Sequence, residues 1–364
     1  MVIGVSEYPF ADGPNASAWG QRFGLENLSS AARSASDVAA WLLKEYSNPD
    51  AELASLRVLL SPSAGEVINP EIAPFAPAAA TRKAVASELK AFRDSCGENP
   101  DNVGFVYIAG HGIQLTKRGA VVLLHDFGDP AGENELSGAI DVVGCHGGMD
   151  EARAARNQIW FSDACRQEPE VAKLFERLEG ALTLSEGVGT VQASPLFLAS
   201  STRENAFAHV GGTSVFSQAL LWALRGNAAV GPDEFSPVWH VGTTQLIRAL
   251  PRRVNAILGE HGAEQQVDVQ GKPLEVVAQQ LAKPPELDIE VELEPNDIRP
   301  APTAELLFNA TEPVPVQQAW PLRLRGPAGL YLLLAAVQPP LTGGQRRKIL
   351  DVVPPGCTDV LRIS

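Results

Sequence analysis

The amino-acid sequence predicts an α/β fold: a largely parallel six-stranded sheet flanked by helices, followed by a small C-terminal β domain. Two observations carry this reading. First, short runs that are apolar at every position recur between segments of helical periodicity, as expected of strands buried on both faces. Second, past Lys283-Pro284-Pro285 the pattern changes to alternation, as in Leu287-Asp288-Ile289-Glu290-Val291-Glu292-Leu293. That is the pattern of antiparallel strands with one face in a core and one in water. The length of 364 residues fits one large domain plus a smaller one, and 45% apolar residues can fill a substantial core.

In chain order, Val2 to Ser6 reads as a buried strand, and Ala35, Val38, Ala39, Leu42 and Leu43 then recur at helical spacing. Leu56 to Leu60 is the second strand. The stretch with Pro62, Pro70, Pro74 and Pro77 is irregular. Thr81 caps a helix with Val85, Leu89 and Phe92 as its apolar stripe. Val103 to Ala109, Ala120 to Leu124, Ile159 to Asp163 and Pro195 to Ser200 complete the six strands. A helical stripe of Val171, Leu174, Phe175 and Leu178 lies between the last two. Another, with Phe216, Ala219, Leu220, Ala223 and Leu224, follows Ser214. Thr243 starts a helix toward Leu258 that Pro251 kinks. This divides the chain into an α/β domain over 1–266, a connecting segment over 267–285 and a β-rich domain over 286–364, with further strands at Leu322 to Arg325 and Leu330 to Val337.

The formal net charge of −14 argues against a continuous nucleic-acid groove, which needs clustered Lys and Arg. Acidity of this kind can attract basic substrates. The four cysteines, Cys96, Cys145, Cys165 and Cys357, stand far apart. They form no zinc-type pair, and a chain of this size needs no disulfide staples. A reduced, cytoplasmic protein is expected. Met1 runs into Val2-Ile3-Gly4-Val5 without a basic lead, so no secretory leader or N-terminal prodomain is expected, and no apolar run has the length of a membrane span. No cofactor or metal is expected either. His209, His240 and His261 fit no zinc spacing, and no calcium loop of the EF-hand kind occurs.

Two strand ends carry chemistry. Val106-Tyr107-Ile108-Ala109-Gly110-His111-Gly112 sets a histidine just past a strand, flanked by glycines that permit a tight turn and leave backbone N–H groups approachable. In open parallel sheets ligands gather outside the carboxyl ends of strands. A lone Gly-His-Gly is equally consistent with a turn histidine tied to a carbonyl. Ile159-Trp160-Phe161-Ser162-Asp163-Ala164-Cys165-Arg166 sets a cysteine past another strand, at a polar end rather than in a core. Imidazole and thiol brought together at one sheet edge make the thiolate accessible, and the N–H groups of Gly112 and Cys165 can form an oxyanion hole.

These residues resemble the caspase-like cysteine peptidases, including metacaspases and their bacterial relatives. His111 precedes Cys165 by 54 positions, close to the separation of about 50 found in caspases. Ile3 to Tyr8 resembles the family's first strand and Ala35 to Leu42 its first helix. Leu198 to Ser201 resembles the strand after the cysteine, and Ser214 to Leu220 the helix after that. The resemblance spans roughly residues 1–266 and leaves out the tail. It implies a Cys–His dyad, with Cys165 as nucleophile and His111 as general base and then acid. Animal caspases have Gln-Ala-Cys where this chain has Asp163-Ala164-Cys165, an arrangement similar to metacaspases. By that likeness Asp163 lines the specificity pocket. A carboxylate there pairs with Arg or Lys and repels Asp, so cleavage after a basic residue is expected, with Ser200 and Glu204 completing the pocket. Asp163 is also suited to capping a loop or helix.

The expected partners are a protein or peptide substrate and an activating protease or regulator, with no nucleic acid and no membrane. The resemblance further implies a regulated bacterial stress or defence pathway. The stretches 126–157, with Arg153 and Arg156, and 168–194, with Lys173 and Arg177, are candidate sites of activating cleavage. The alternative is a catalytically quiet scaffold of the same fold. An α/β-hydrolase esterase is disfavoured, since Gly211-Gly212-Thr213-Ser214 is no nucleophile elbow. Cys145 and His146 are adjacent, so their side chains diverge; they read as a Gly-rich surface loop, Gly144 to Gly148. His125 and Asp126 read as a solvated loop near the cleft.

Overall fold

Runs that are apolar at every position need cover on both faces, and the chain supplies it by alternating strands with helices. The structure, a computed structural model, describes every residue other than 115–118, 151–154, 166–179, 185–188, 190, 200–211, 233–235, 260–264, 297, 299–300, 338–343 and 364. The elements up to residue 272 are β1 (Val2–Val5), α1 (Ala18–Gln21), α2 (Ala31–Lys44), β2 (Val58–Ser61), α3 (Arg82–Cys96), β3 (Val103–Gly110), β4 (Gly112–Ile113), β5 (Val121–Leu123), β6 (Ala139–Asp141), α4 (Val142–Gly148), β7 (Asn157–Ala164), β8 (Ser194–Leu198), α5 (Val215–Trp222), β9 (Trp239–Gly242), α6 (Thr243–Gly259) and β10 (Asp268–Lys272).

The central sheet has the order β10-β8-β7-β3-β1-β2. Strands β2, β1, β3, β7 and β8 run parallel, and β10 closes one edge antiparallel to β8. Helix α2 covers one face, where Trp41 meets Phe105 and Ala35 backs onto Gly4. Helix α3 covers the other, with Phe92 and Cys96 against Gly104. Thr81 caps α3 as expected, accepting the Ala84 N–H at 3.3 Å.

Two expectations change. The run Ala120 to Leu124 is a strand, β5, but it joins a separate antiparallel sheet, β4-β5-β6; the sixth place in the central sheet belongs to β10, in the segment read as a connector. A run buried on both sides looks alike in either sheet, because periodicity identifies a strand and not its neighbours. Gly144 to Gly148 is no surface loop but part of α4, whose Asp141 cap accepts the Gly144 N–H at 2.9 Å and whose Cys145 is fully buried. Its glycines serve close packing, Gly148 lying directly against Leu184. The stripe over 171–178 lies outside the described residues.

The remaining strands are β11 (Val277–Leu281), β12 (Glu286–Glu294), β13 (Thr303–Phe308), β14 (Glu312–Val314), β15 (Leu322–Pro327), β16 (Gly329–Val337), β17 (Gly344–Val352) and β18 (Gly356–Arg362). Two compact units result, Met1–Leu221 with Gly242–Ala278, and Trp222–Val241 with Gln279–Ser364. In the second, sheets β15-β12-β18 and β14-β13-β16-β17 enclose Leu287, Ile289, Val291, Tyr331, Leu333 and Leu350. Among the described pairs of these two sheets, β12 and β18 run parallel and the others antiparallel. No helix among the described residues is long and apolar enough to cross a membrane.

Gly4 shows how tightly α2 sits on the sheet: a Cβ there would lie 2.6 Å from the Ala35 Cβ and 2.8 Å from the Ala32 Cα. Gly4→Ala should therefore destabilise the protein by about 1–3 kcal/mol or more, read as a lower urea midpoint. An unchanged midpoint would mean that α2 can lift without loss.

Candidate active site

The geometry of the site begins with register. Strands β3 and β7 pair in parallel over eight positions, from Val103 opposite Asn157 to Gly110 opposite Ala164. Parallel neighbours lie about 4.8 Å apart. The next residue on each strand, His111 and Cys165, therefore leaves the sheet at the same edge and on adjacent strands. Strand β1 lies on the other side of β3, with β2 beyond it, so the strand order reverses between β1 and β3, where open α/β sheets form their ligand crevice.

His111 is anchored by residues that follow β1. Its N–H donates to the Tyr8 hydroxyl at 2.8 Å, and the two rings lie 5.0 Å apart. Its Nε2 lies 2.7 Å from the Glu26 carbonyl oxygen. A carbonyl only accepts, so Nε2 carries the proton and Nδ1 is left as the basic nitrogen. Glu26 is held by its neighbours: the Tyr8 N–H donates to Asn27 Oδ1 at 2.6 Å and the Leu28 N–H to the Ser6 carbonyl at 2.8 Å. Burial lowers the His111 pKa, against the opposing pull of the Glu26 carbonyl. The ring is therefore neutral at pH 7, the state a base requires.

The Cys165 thiol is half-buried and donates to the Gly112 carbonyl oxygen at 3.2 Å. The His111 carbonyl accepts the Leu123 N–H at 2.8 Å, and Gly112 lies opposite Val122. In such a pair the Gly112 N–H and C=O turn away from β5, to the side where the thiol sits. Only glycine fits here. A Cβ at 112 would overlap the Cys165 carbonyl oxygen and stand 2.9 Å from the Ala164 Cβ.

Asp163 points to the α2 and α5 side of the sheet and is 6% exposed. Its Oδ2 accepts hydrogen bonds from the Tyr107 and Ser214 hydroxyls. Ser214 is the N-terminal cap of α5: its Oγ accepts the Ser217 N–H at 2.9 Å, while its own N–H donates to Ser34 Oγ at 2.8 Å. Burial raises the Asp163 pKa to about 6, and the two hydroxyl donors oppose the rise. Among the described residues no Lys or Arg forms an ion pair with this carboxylate.

Ser200 and Glu204 lie outside the described residues, as do His209 and His261. The adjacent pair is structural. Cys145 is fully buried with its pKa raised to about 12 by burial, and the His146 Nε2–H donates to the Ser194 carbonyl at 2.9 Å. Asp126 accepts the Arg82 N–H at 2.9 and 3.1 Å and so supports the first turn of α3 rather than a solvated loop. His125 ties the Glu7 and Ala80 carbonyls together. Among the described residues no group of three or more His, Cys, Asp or Glu is placed to hold a metal ion. Sequence reasoning missed Glu26, Tyr8, Tyr107 and Ser214. The first two act through a carbonyl and a distant hydroxyl, which leave no motif. The last two stand beside residues that were singled out.

The comparison with known proteins agrees with this geometry. A profile of the caspase domain matches residues 47–274, which include both strand ends. An uncharacterized protein, y4kE, of Sinorhizobium fredii (strain NBRC 101917 / NGR234) is 29% identical over 193 residues, 51% of this chain and 53% of the relative. The chain thus spans about half the length of the curated relative it matches. With well over half of its residues matched by the profile, and a histidine and a cysteine at the ends of adjacent parallel strands, the chain belongs to the caspase-domain family of cysteine peptidases.

Proposed function

We propose that this chain is a cysteine endopeptidase that hydrolyses peptide bonds after Arg or Lys with Cys165 and His111 as its dyad. The observation that carries the proposal is the in-register exit of these two residues from β3 and β7, with His111 Nδ1 left basic by the Glu26 carbonyl. In this mechanism Nδ1 takes the Cys165 proton and Sγ attacks the scissile carbonyl. The oxyanion is met by the N–H groups of Gly112 and Cys165. The C–N bond then breaks as the imidazolium gives its proton to the leaving amine. Water, deprotonated by His111, hydrolyses the thioester. The thiol must first leave the Gly112 carbonyl, since a thiolate there would face oxygen lone pairs. A catalytically resting thiol of this kind suits a regulated enzyme, activated by cleavage within 126–157 or within 168–194, or by a partner. By family likeness the setting is a bacterial stress or defence response, and the four separated cysteines suit a reduced, cytoplasmic location.

The basic preference rests on Asp163. A buried carboxylate without a cation is costly, and a substrate guanidinium or ammonium supplies the missing charge. The cost is visible in linkage. Folding takes the Asp163 pKa from 3.8 to about 6. The folded state therefore binds this proton more tightly, and stability falls as pH rises from about 4 to about 6. Two units correspond to about 3 kcal/mol above pH 6.

Three outcomes are expected. Fluorogenic peptides ending in Arg or Lys should be cleaved, peptides ending in Asp or Leu should not, and Cys165→Ala should lose all turnover. Iodoacetamide should modify Cys165 well before Cys96 and Cys145, whose thiols burial raises to about 11 and about 12. Equal labelling rates would favour the quiet scaffold.

The pH profile gives the second test. For an Arg peptide, kcat/KM should fall about tenfold per pH unit below about pH 6 as Asp163 takes up its proton, and protonation of His111 steepens the acid limb. Tyr107→Phe removes a donor that favours the carboxylate, so the limb due to Asp163 should move to higher pH. A profile unmoved in this variant would assign the limb to His111 alone.

Third, Asp163→Asn should lower kcat/KM for Arg peptides roughly a hundredfold or more. The same variant should be more stable than wild type by up to about 3 kcal/mol at pH 8 and by almost nothing near pH 4. Urea midpoints at the two pH values measure the difference, and a destabilised variant at pH 8 would contradict the assigned burial cost.

A further inference from the structure

The second unit carries an apolar surface that its own core does not use. In the sheet β14-β13-β16-β17, residues Leu306, Tyr331, Leu333, Ala335, Leu350 and Val352 face the core. The alternate positions face outward, and at their centre they are apolar. Pairing sets Pro313 opposite Leu307, Leu307 opposite Leu332, and Leu332 opposite Ile349. One apolar row thus runs straight across all four strands. Leu330 and Leu334 flank Leu332 on the same face, two residues to either side. Ile349 is 70% exposed and Leu330 53%. Outward positions of a sheet in water are normally polar, and a contiguous exposed apolar patch marks an interface.

The charges around the row identify the occupant. Arg347 and Asp351 flank Ile349 on the same outward face, again two residues to either side, and both are exposed. Consider a two-fold axis lying along the row Pro313-Leu307-Leu332-Ile349. Turning the sheet over about this axis sets each row residue against its own counterpart. Leu330 then meets the second copy's Leu334, and Arg347 meets the second copy's Asp351, twice per pair. Glu305 meets the position of Asn309, so no like charges are opposed. Self-complementarity of this kind is what an isologous interface requires. We infer that the outward face of β14-β13-β16-β17 is a homodimer interface, closed by a two-fold axis along the Pro313-Leu307-Leu332-Ile349 row. Four strands of three to nine residues, about 4.8 Å apart, cover roughly 430 Å² per copy. That is below the standard interface size, in the range of weak contacts, so a dimer no tighter than about micromolar is expected.

Sedimentation of the full chain between about 1 and 100 µM tests this. Wild type should show a monomer–dimer equilibrium, and Ile349→Asp should weaken it at least about thirtyfold. Arg347→Asp opposes two aspartates to two aspartates across the axis, and Asp351→Arg opposes arginines to arginines; each alone should weaken dimerisation about tenfold. An equimolar mixture of these two variants should dimerise again, to within about threefold of wild type, because the mixed pair restores both ion pairs. Only a contact across two copies gives that recovery. Thermal unfolding of each variant, at exposed positions, should match wild type and exclude misfolding. A wild type that stays monomeric at 100 µM would overturn the inference. A dimer indifferent to Ile349→Asp, or a mixture no better than its components, would overturn it equally.

Discussion

Everything at the candidate site depends on the register of two parallel strands. Because β3 and β7 are paired from Val103–Asn157 to Gly110–Ala164 without a bulge, the residues that follow leave the sheet side by side. A shift of one residue would send every side chain to the opposite face and part His111 from Cys165. The register is enforced from both sides of the sheet. Phe105, Phe161 and Phe197 form a contiguous row of rings across β3, β7 and β8 on one face. Val106, Ile108 and Trp160 are locked into the core on the other. Packing far from the chemistry therefore fixes the chemistry, and Gly112 completes the arrangement by letting the two chains close on each other beyond the last ladder pair.

The same scaffold accepts a burden at Asp163. Asp163 lies two residues beyond Phe161 on the same face of β7 and is almost fully buried, so its charge is costly there. The carboxylate is kept, with just enough hydrogen bonding to stay ionisable. Tyr107 comes from the neighbouring strand, and Ser214 divides its hydroxyl between capping α5 and meeting Asp163. Two neutral hydroxyls stabilise an anion less than an arginine would. The carboxylate is thus hydrogen-bonded but carries a burial cost, which raises its pKa to about 6.

What was legible in the sequence follows from the same physics. Fully apolar runs announce strands covered on both sides, and alternation announced the change at Lys283-Pro284-Pro285; both hold in the structure. The positions of His111 and Cys165 were legible because a strand running straight into Gly-His-Gly, and another into Asp-Ala-Cys, are short local patterns. Pairing was not legible. Val121 to Leu123 has the composition of a central strand, yet it follows His111 too closely to cross over, so it turns back as an antiparallel partner of Gly112–Ile113. The glycines around Cys145 suggested a surface loop, but in the fold Gly144 and Gly148 are contact points where a side chain would not fit. Glu26 was invisible for a different reason: a backbone carbonyl acts whatever its side chain, so its role exists only in three dimensions.

The two units also differ in where function can be placed. In the first, helices α2 and α3 cover the two faces of the central sheet, and His111 and Cys165 stand just past the strand ends, outside that cover. In the second, two sheets enclose a core between them, and each strand turns its alternate positions outward. Alternation then leaves each outward position free to vary without disturbing the core, since Leu333 and Leu350 point the other way. A polar outward face would be the default for such a sheet. That Leu307, Leu330, Leu332, Leu334 and Ile349 occupy it instead, in one row with flanks, is a departure that the fold itself does not demand. Stability of the unit is served from within, so the outward leucines and isoleucine have to be understood through what they meet outside it.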